Sequence, residues 1–180
     1  SGMGGPTGIL EDAGKLWIVD YGSNRVLHYS STPTASNANA TAVFGQSTFT
    51  ASAACDLIAS TATCFNQPDG IMKVGSKVIV SDYYSNRLMI YDTDPTTTNR
   101  AADGVFGQAD FTSGHPNRTG PSARGLTNPN FIDVAGNWLV ISEGGNNRVL
   151  LWDKRQPQGQ ASFVLGQADF SSVLANAGAA

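Results

Sequence analysis

Asp20-Tyr21-Gly22-Ser23-Asn24-Arg25-Val26 is the stretch that decides the architecture. It returns as Asp82-Tyr83-Tyr84-Ser85-Asn86-Arg87-Leu88 and again as Glu143-Gly144-Gly145-Asn146-Asn147-Arg148-Val149. The starting positions 20, 82 and 143 are 62 and 61 residues apart. Two further markers keep the same phase. Val43-Phe44-Gly45-Gln46 matches Val105-Phe106-Gly107-Gln108 and Val164-Leu165-Gly166-Gln167, and Pro6-Thr7-Gly8-Ile9 matches Pro68-Asp69-Gly70-Ile71 and Pro129-Asn130-Phe131-Ile132. Three markers in one order, three times, define a repeat protein.

Each repeat reads as four short strands. The first follows the Pro, at 7–11, 69–73 and 130–134; the second is 16–19, 78–81 and 139–142; the third is 26–29, 88–91 and 149–152; the fourth is 42–44, 104–106 and 163–165. Ala13-Gly14, Gly75-Ser76 and Gly136-Asn137 punctuate the first two strands, and no helical periodicity lies between them. Leu16-Trp17-Ile18-Val19 and Val149-Leu150-Leu151-Trp152 are apolar without alternation, so both faces of those strands must be covered. An open antiparallel sheet leaves one face wet and alternates. Sheets stacked face on face around an axis do not, and that is the blade arrangement of a β-propeller.

Composition agrees. In 180 residues there are 20 Gly and only 14% charged residues, against a usual level of about 25%. A net charge of -3 and scattered arginines (Arg100, Arg118, Arg124) argue against a nucleic-acid clamp. No apolar run approaches the roughly 18 residues that cross a bilayer. The start has no basic segment followed by an apolar core, so no signal peptide is expected. Cys55 and Cys64, in a Ser/Thr/Ala-rich stretch, are either a local disulfide or two thiols; a bridge would point to an extracytoplasmic, oxidising compartment.

The Asp-x-x-x-Asn-Arg-Val core after an apolar strand, with a Pro-x-Gly-Ile strand start, resembles the NHL repeat, and the Phe/Leu-Gly-Gln-Ala-Asp-Phe extension resembles a long-repeat bacterial subtype. Glu143 in place of Asp and Phe131 in place of Gly are mild departures in the third copy. The resemblance implies an all-β propeller as a single domain over 1–180. Its blades lie at about 6–46, 68–108 and 129–167, joined by long linkers at 47–67 and 109–128. It further implies a binding platform more often than an enzyme. Metal-dependent lyases on NHL-like propellers use several histidines, whereas this chain has two, His28 and His115, both expected at the surface.

Propellers have about four to eight blades, so three make an open arc with apolar ends. Two chains about a two-fold axis would close a six-bladed ring, the first blade of each against the third of the other. The residues before Pro6 and after Gln167 together nearly make one linker, which keeps the repeats in phase across such a junction. The alternative is part of a longer propeller.

Candidate functional residues fall into two sets. Asp20, Asn24, Arg25; Asp82, Asn86, Arg87; and Glu143, Asn147, Arg148 recur in every blade, which favours a scaffold role: Asn in the turn, acid and Arg as a charge-assisted pair. Gly45-Gln46 and its equivalents are read as structural too, and Phe49, Phe111 and Phe170 as pins for the linkers. Thr7, Asp69 and Asn130 are equivalent in position but differ in chemistry, at the strand expected to line the channel. They are the ligand-binding candidates. Oxygen ligands of this kind could hold calcium or magnesium, with Asp69 and Asn130 as the metal candidates, although no cofactor is required. No nucleophile elbow or P-loop appears. The expected function is a non-catalytic binding or assembly module, homodimeric, for a protein, peptide or glycan. The alternative is a metal-dependent hydrolase or lactonase with a channel cation.

Overall fold

The computed structural model describes residues 2–118, 120–156 and 159–176. It holds three four-stranded antiparallel sheets in strict chain order. Blade 1 is β1 (Pro6–Asp12), β2 (Lys15–Asp20), β3 (Arg25–Tyr29) and β4 (Ala42–Phe44). Blade 2 is β5 (Pro68–Val74), β6 (Lys77–Asp82), β7 (Arg87–Tyr91) and β8 (Gly104–Phe106). Blade 3 is β9 (Pro129–Ala135), β10 (Trp138–Glu143), β11 (Arg148–Asp153) and β12 (Phe163–Leu165). The repeat therefore delivers the all-β blades it predicts. Several strands run a residue or two further than the turn residues indicate, because the acid and the Arg of the motif pair as strand ends: Asp20 faces Arg25, Asp82 faces Arg87 and Glu143 faces Arg148.

The tight turn between second and third strands needs a left-handed residue. Asn24, Asn86 and Asn147 supply it at φ 52, 54 and 51. Asn accepts that conformation because its short amide bonds locally.

The core is a pair of seams between blades. Alternation along β2 and β3 sends Trp17, Val19 and Val26 of blade 1, with Phe44, against Ile71, Val78, Val80, Met89 and Tyr91 of blade 2. The opposite face of blade 2 sends Ile79, Leu88, Ile90 and Phe106 against Ile132, Leu139, Ile141, Leu150 and Trp152 of blade 3. Each such side chain contributes about 1.5–3 kcal/mol on burial, so seams, not single sheets, hold the stack together. Linker residues Phe65 and Leu126 are buried in these same seams. Phe111 packs on the first and Phe170 on the second.

The two end faces differ. The outer face of blade 1 buries Leu27, Tyr29 and Val43 under Ala38, Ala40 and Phe49 of its own loops. The outer face of blade 3 is bare: Phe163 is 53% and Leu165 54% exposed, and Trp138 stacks edge-on against Phe163 at 5.2 Å.

His28 corrects the surface assignment made from its residue type. It is 2% exposed, packed on Trp17 at 5.0 Å, with Nδ1 bonded to Thr41 Oγ1 at 3.1 Å. His28 is two residues from Val26 and cross-strand from Trp17, so alternation along β3 turns it to the seam face. Nε2 has no partner. Burial, then the nearby Lys15 ammonium, lowers its pKa below the ordinary 6.5. A base held neutral in the folded state stabilises the fold fully above its unfolded pKa and loses that contribution as pH falls through it. The urea midpoint should therefore drop as pH falls below about 6.5, and His28→Gln should flatten that drop. An unchanged slope in the variant would refute the assignment.

Candidate functional site

The motif residues of each blade meet at one buried knot. Arg25 Nε donates to Asp20 Oδ2 at 2.8 Å, Arg87 Nε to Asp82 Oδ2 at 2.9 Å and Arg148 Nε to Glu143 Oε2 at 2.6 Å. The second oxygen of each acid accepts a backbone N–H from the incoming linker: Gly4, Asn66 and Thr127, each at 2.6 Å. The guanidinium reaches both linkers as well. Nη1 donates to the carbonyl of Phe49, of Phe111 (2.8 Å) and of Phe170 (2.6 Å) on the outgoing side. Nη2 donates to the incoming carbonyl of Gly2 at 2.7 Å, Cys64 at 3.0 Å and Gly125 at 3.1 Å. A planar, always charged fork with five donors can serve three segments at once, which Lys cannot.

The turn asparagines extend the knot. Asn86 Nδ2 donates to Gly114 O at 2.8 Å and Asn147 Nδ2 to Val173 O at 2.9 Å. Gln46, Gln108 and Gln167 each donate through Nε2 to the asparagine carbonyl, at 2.9 Å in every blade, and to the linker at Ala53, His115 and Leu174. Asp82, Arg87, Glu143 and Arg148 have side chains fully screened from solvent. Burial pushes the Asp82 and Glu143 carboxyls up, while the paired arginines pull them back. Every guanidinium nitrogen is thus engaged within the scaffold.

Cys55 and Cys64 form a disulfide with Cα atoms 5.3 Å apart. It closes the loop whose carbonyls at Thr61 and Cys64 accept from Arg87. No helix among the described residues is long and apolar enough to cross a membrane.

Thr7, Asp69 and Asn130 are the second residues of β1, β5 and β9, and they lie in line across the three inner strands. Thr7 Oγ1 donates to the Asp69 carbonyl at 2.9 Å, and Asn130 Nδ2 lies 3.4 Å from Asp69 Oδ2. Asn130 Oδ1 accepts from Gly144 N–H at 3.1 Å. Gly8 and Gly70 allow this closeness: a Cβ there would stand 2.7 Å from Asp69 O and 2.8 Å from Asn130 O. Among the described residues no three His, Cys, Asp or Glu side chains gather as a metal site would require. His115 is exposed in its linker.

Three tyrosines that the sequence reading passed over stand beside this row. Tyr21 and Tyr83 have ring centroids 6.4 Å apart, and Tyr83 and Tyr84 4.8 Å apart. Burial, then Tyr84, Tyr83 and Asp69, raise the Tyr21 phenol. The signal was present inside the repeat, where the residue after the acid is Tyr twice and Gly144 once.

No family model and no curated protein sequence matches the chain. Among solved structures it is similar to Myxococcus xanthus glutaminyl cyclase, at 13% identity and a TM-score of 0.51, over 91% of this chain and 53% of that one. It is also similar to a chain of a nidogen/laminin complex, at 14% identity and a TM-score of 0.53, over 93% of this chain and 49% of that one. The chain thus spans about half the length of the structures it matches. At these identities the likeness establishes a β-propeller fold, here as half a propeller, and nothing about chemistry.

Arg87→Ala should lower stability by about 3–5 kcal/mol in urea denaturation, because it strands the buried Asp82 and frees both linkers. Arg87→Lys should fall between the two. A loss below about 1 kcal/mol on Arg87→Ala would contradict the knot.

Proposed function

We propose that this chain is a non-catalytic NHL-type binding or assembly module. It forms half of a six-bladed ring, pairs with a second copy and presents the channel mouth to a peptide or glycan. The observation that carries this reading is the bare apolar face of blade 3, with Phe163 and Leu165 more than half exposed at one end of the stack. Apolar patches of this kind mark interfaces. At the mouth, half-exposed tyrosine rings beside Thr7, Asp69 and Asn130 combine stacking surface with hydrogen-bonding groups, the composition of a recognition rim. A disulfide between Cys55 and Cys64 supports an extracytoplasmic setting.

Screening peptide and glycan arrays should give binders whose signal is lost in Asp69→Ala and in Tyr83→Ala, while the melting temperature of Asp69→Ala stays near that of the parent. Added calcium should leave the melting temperature unchanged. Binding that ignores both substitutions would overturn the mouth as the site, and a rise of several degrees with calcium would favour a channel cation and the hydrolase reading.

A further inference from the structure

We infer that residues 2–5 of a second copy of this chain plug the end of blade 3, completing a seam built like the two internal ones. The inference rests on the ring-closure reading above and gives it a register.

The internal seams show the pattern. The linker entering each blade crosses the preceding blade and fills a notch there. Phe65 sits over Gly45, where an added Cβ would stand 2.1 Å from its ring, and Leu126 sits over Gly107, where a Cβ would stand 2.5 Å from its side chain. The backbone on each side is tied as well. Phe65 O accepts from Cys55 N–H at 2.9 Å and Leu126 O from Asn117 N–H at 2.8 Å. Two residues further on, Gln67 N–H donates to Asn24 Oδ1 at 2.7 Å and Asn128 N–H to Asn86 Oδ1 at 2.9 Å. Gln67 and Asn128 are both left-handed, at φ 53 and 49.

Blade 3 carries the same notch with no side chain of the described residues in it. Gly166 has φ +86, matching Gly45 at +85 and Gly107 at +86, yet a Cβ there meets only the backbone of Asn147 and Arg148. Gln167 holds the outgoing segment through Leu174 O as Gln46 and Gln108 hold theirs, which brings Asn176 to the place of Cys55 and Asn117.

The matching plug is at the other end of the same chain. Gly4 N–H bonds Asp20 as Asn66 bonds Asp82 and Thr127 bonds Glu143. Gly2 O accepts from Arg25 as Cys64 O does from Arg87 and Gly125 O from Arg148. This register makes Met3 the counterpart of Phe65 and Leu126, and Gly5, at φ +127, the counterpart of Gln67 and Asn128. Met3 is 40% exposed where Phe65 and Leu126 are fully buried. In a second copy it would enter the Gly166 notch, and Gly5 N–H would reach Asn147 Oδ1.

The rims match too. Across the first seam Lys15 pairs with Asp94 at 2.8 Å. The repeat puts Trp138 of blade 3 at the Lys15 position and Thr32 of blade 1 at the Asp94 position. The charge of this pair is absent from both partners together. Trp138 and Phe163 instead face a groove of about 570 Å³ whose walls include Leu16, Ile18, Tyr29 and Pro33. One residue departs from the internal pattern. Phe131 stands where Gly8 and Gly70 let inner strands touch, so this seam is wider on the channel side, with the Phe131 ring between the strands.

The native Cys55–Cys64 bridge maps onto Asn176 of one copy and Gly2 of the other, which supplies the test. Gly2→Cys and Asn176→Cys variants, mixed and oxidised, should give a disulfide-linked dimer on a non-reducing gel, and neither variant should do so alone. Met3→Asp should raise the dimer dissociation constant about tenfold or more in sedimentation, since it removes a buried apolar side chain. A wild-type dimer that gives no mixed crosslink and ignores Met3→Asp overturns this seam and leaves ring closure standing through another register. A covalent dimer from Gly2→Cys alone also overturns it, by placing the two leads against each other. A wild-type monomer overturns the seam together with the ring reading.

Discussion

The buried guanidinium of Arg25, Arg87 and Arg148 is the interaction on which the stack depends. Each one joins a hairpin to the segment entering its blade and to the segment leaving it. The cost of burying an ion pair is offset only when its remaining donors are satisfied, and here the linker carbonyls satisfy them. Linkers of some twenty residues with no strands of their own would otherwise be loose. The arginines turn them into structural parts, and in doing so deliver Phe65 and Leu126 to the seams.

From this follows an assembly with open ends. Every blade is hydrophobic on both faces, as suits a blade with a neighbour on each side. Blades 1 and 3 have one each within the chain. The outer face of blade 1 is sheltered by its own 33–40 loop, whereas that of blade 3 leaves Phe163 and Leu165 to solvent. In the proposed seam the asymmetry is that of a socket and a plug, not of two identical sticky ends. A pairing of this kind closes only when both junctions form together, which a two-fold axis guarantees.

Much of the fold was legible because it repeats. Gly45, Gly107 and Gly166, the left-handed asparagines and the acid–arginine pairs stand at fixed intervals, and strand patterning between them needs only period-two reasoning. What lay outside sequence reach was tertiary. His28 reads as a surface residue by type, yet it lies cross-strand from Trp17 on the seam face and is buried. The contacts of the arginines with Phe49, Phe111 and Phe170 carbonyls leave no sequence trace, since any residue supplies a carbonyl. Tyr21, Tyr83 and Tyr84 were visible within the motif, but the approach of Tyr21 to Tyr83 depends on how the blades are set side by side.

Small-angle X-ray scattering of the protein in solution tests the central claim most directly, because it reads mass and shape together. The account predicts a closed disc of twice the 18.8 kDa chain mass, with the scattering minimum of a ring. A curved particle of a single chain's mass, persisting at high concentration, would contradict it.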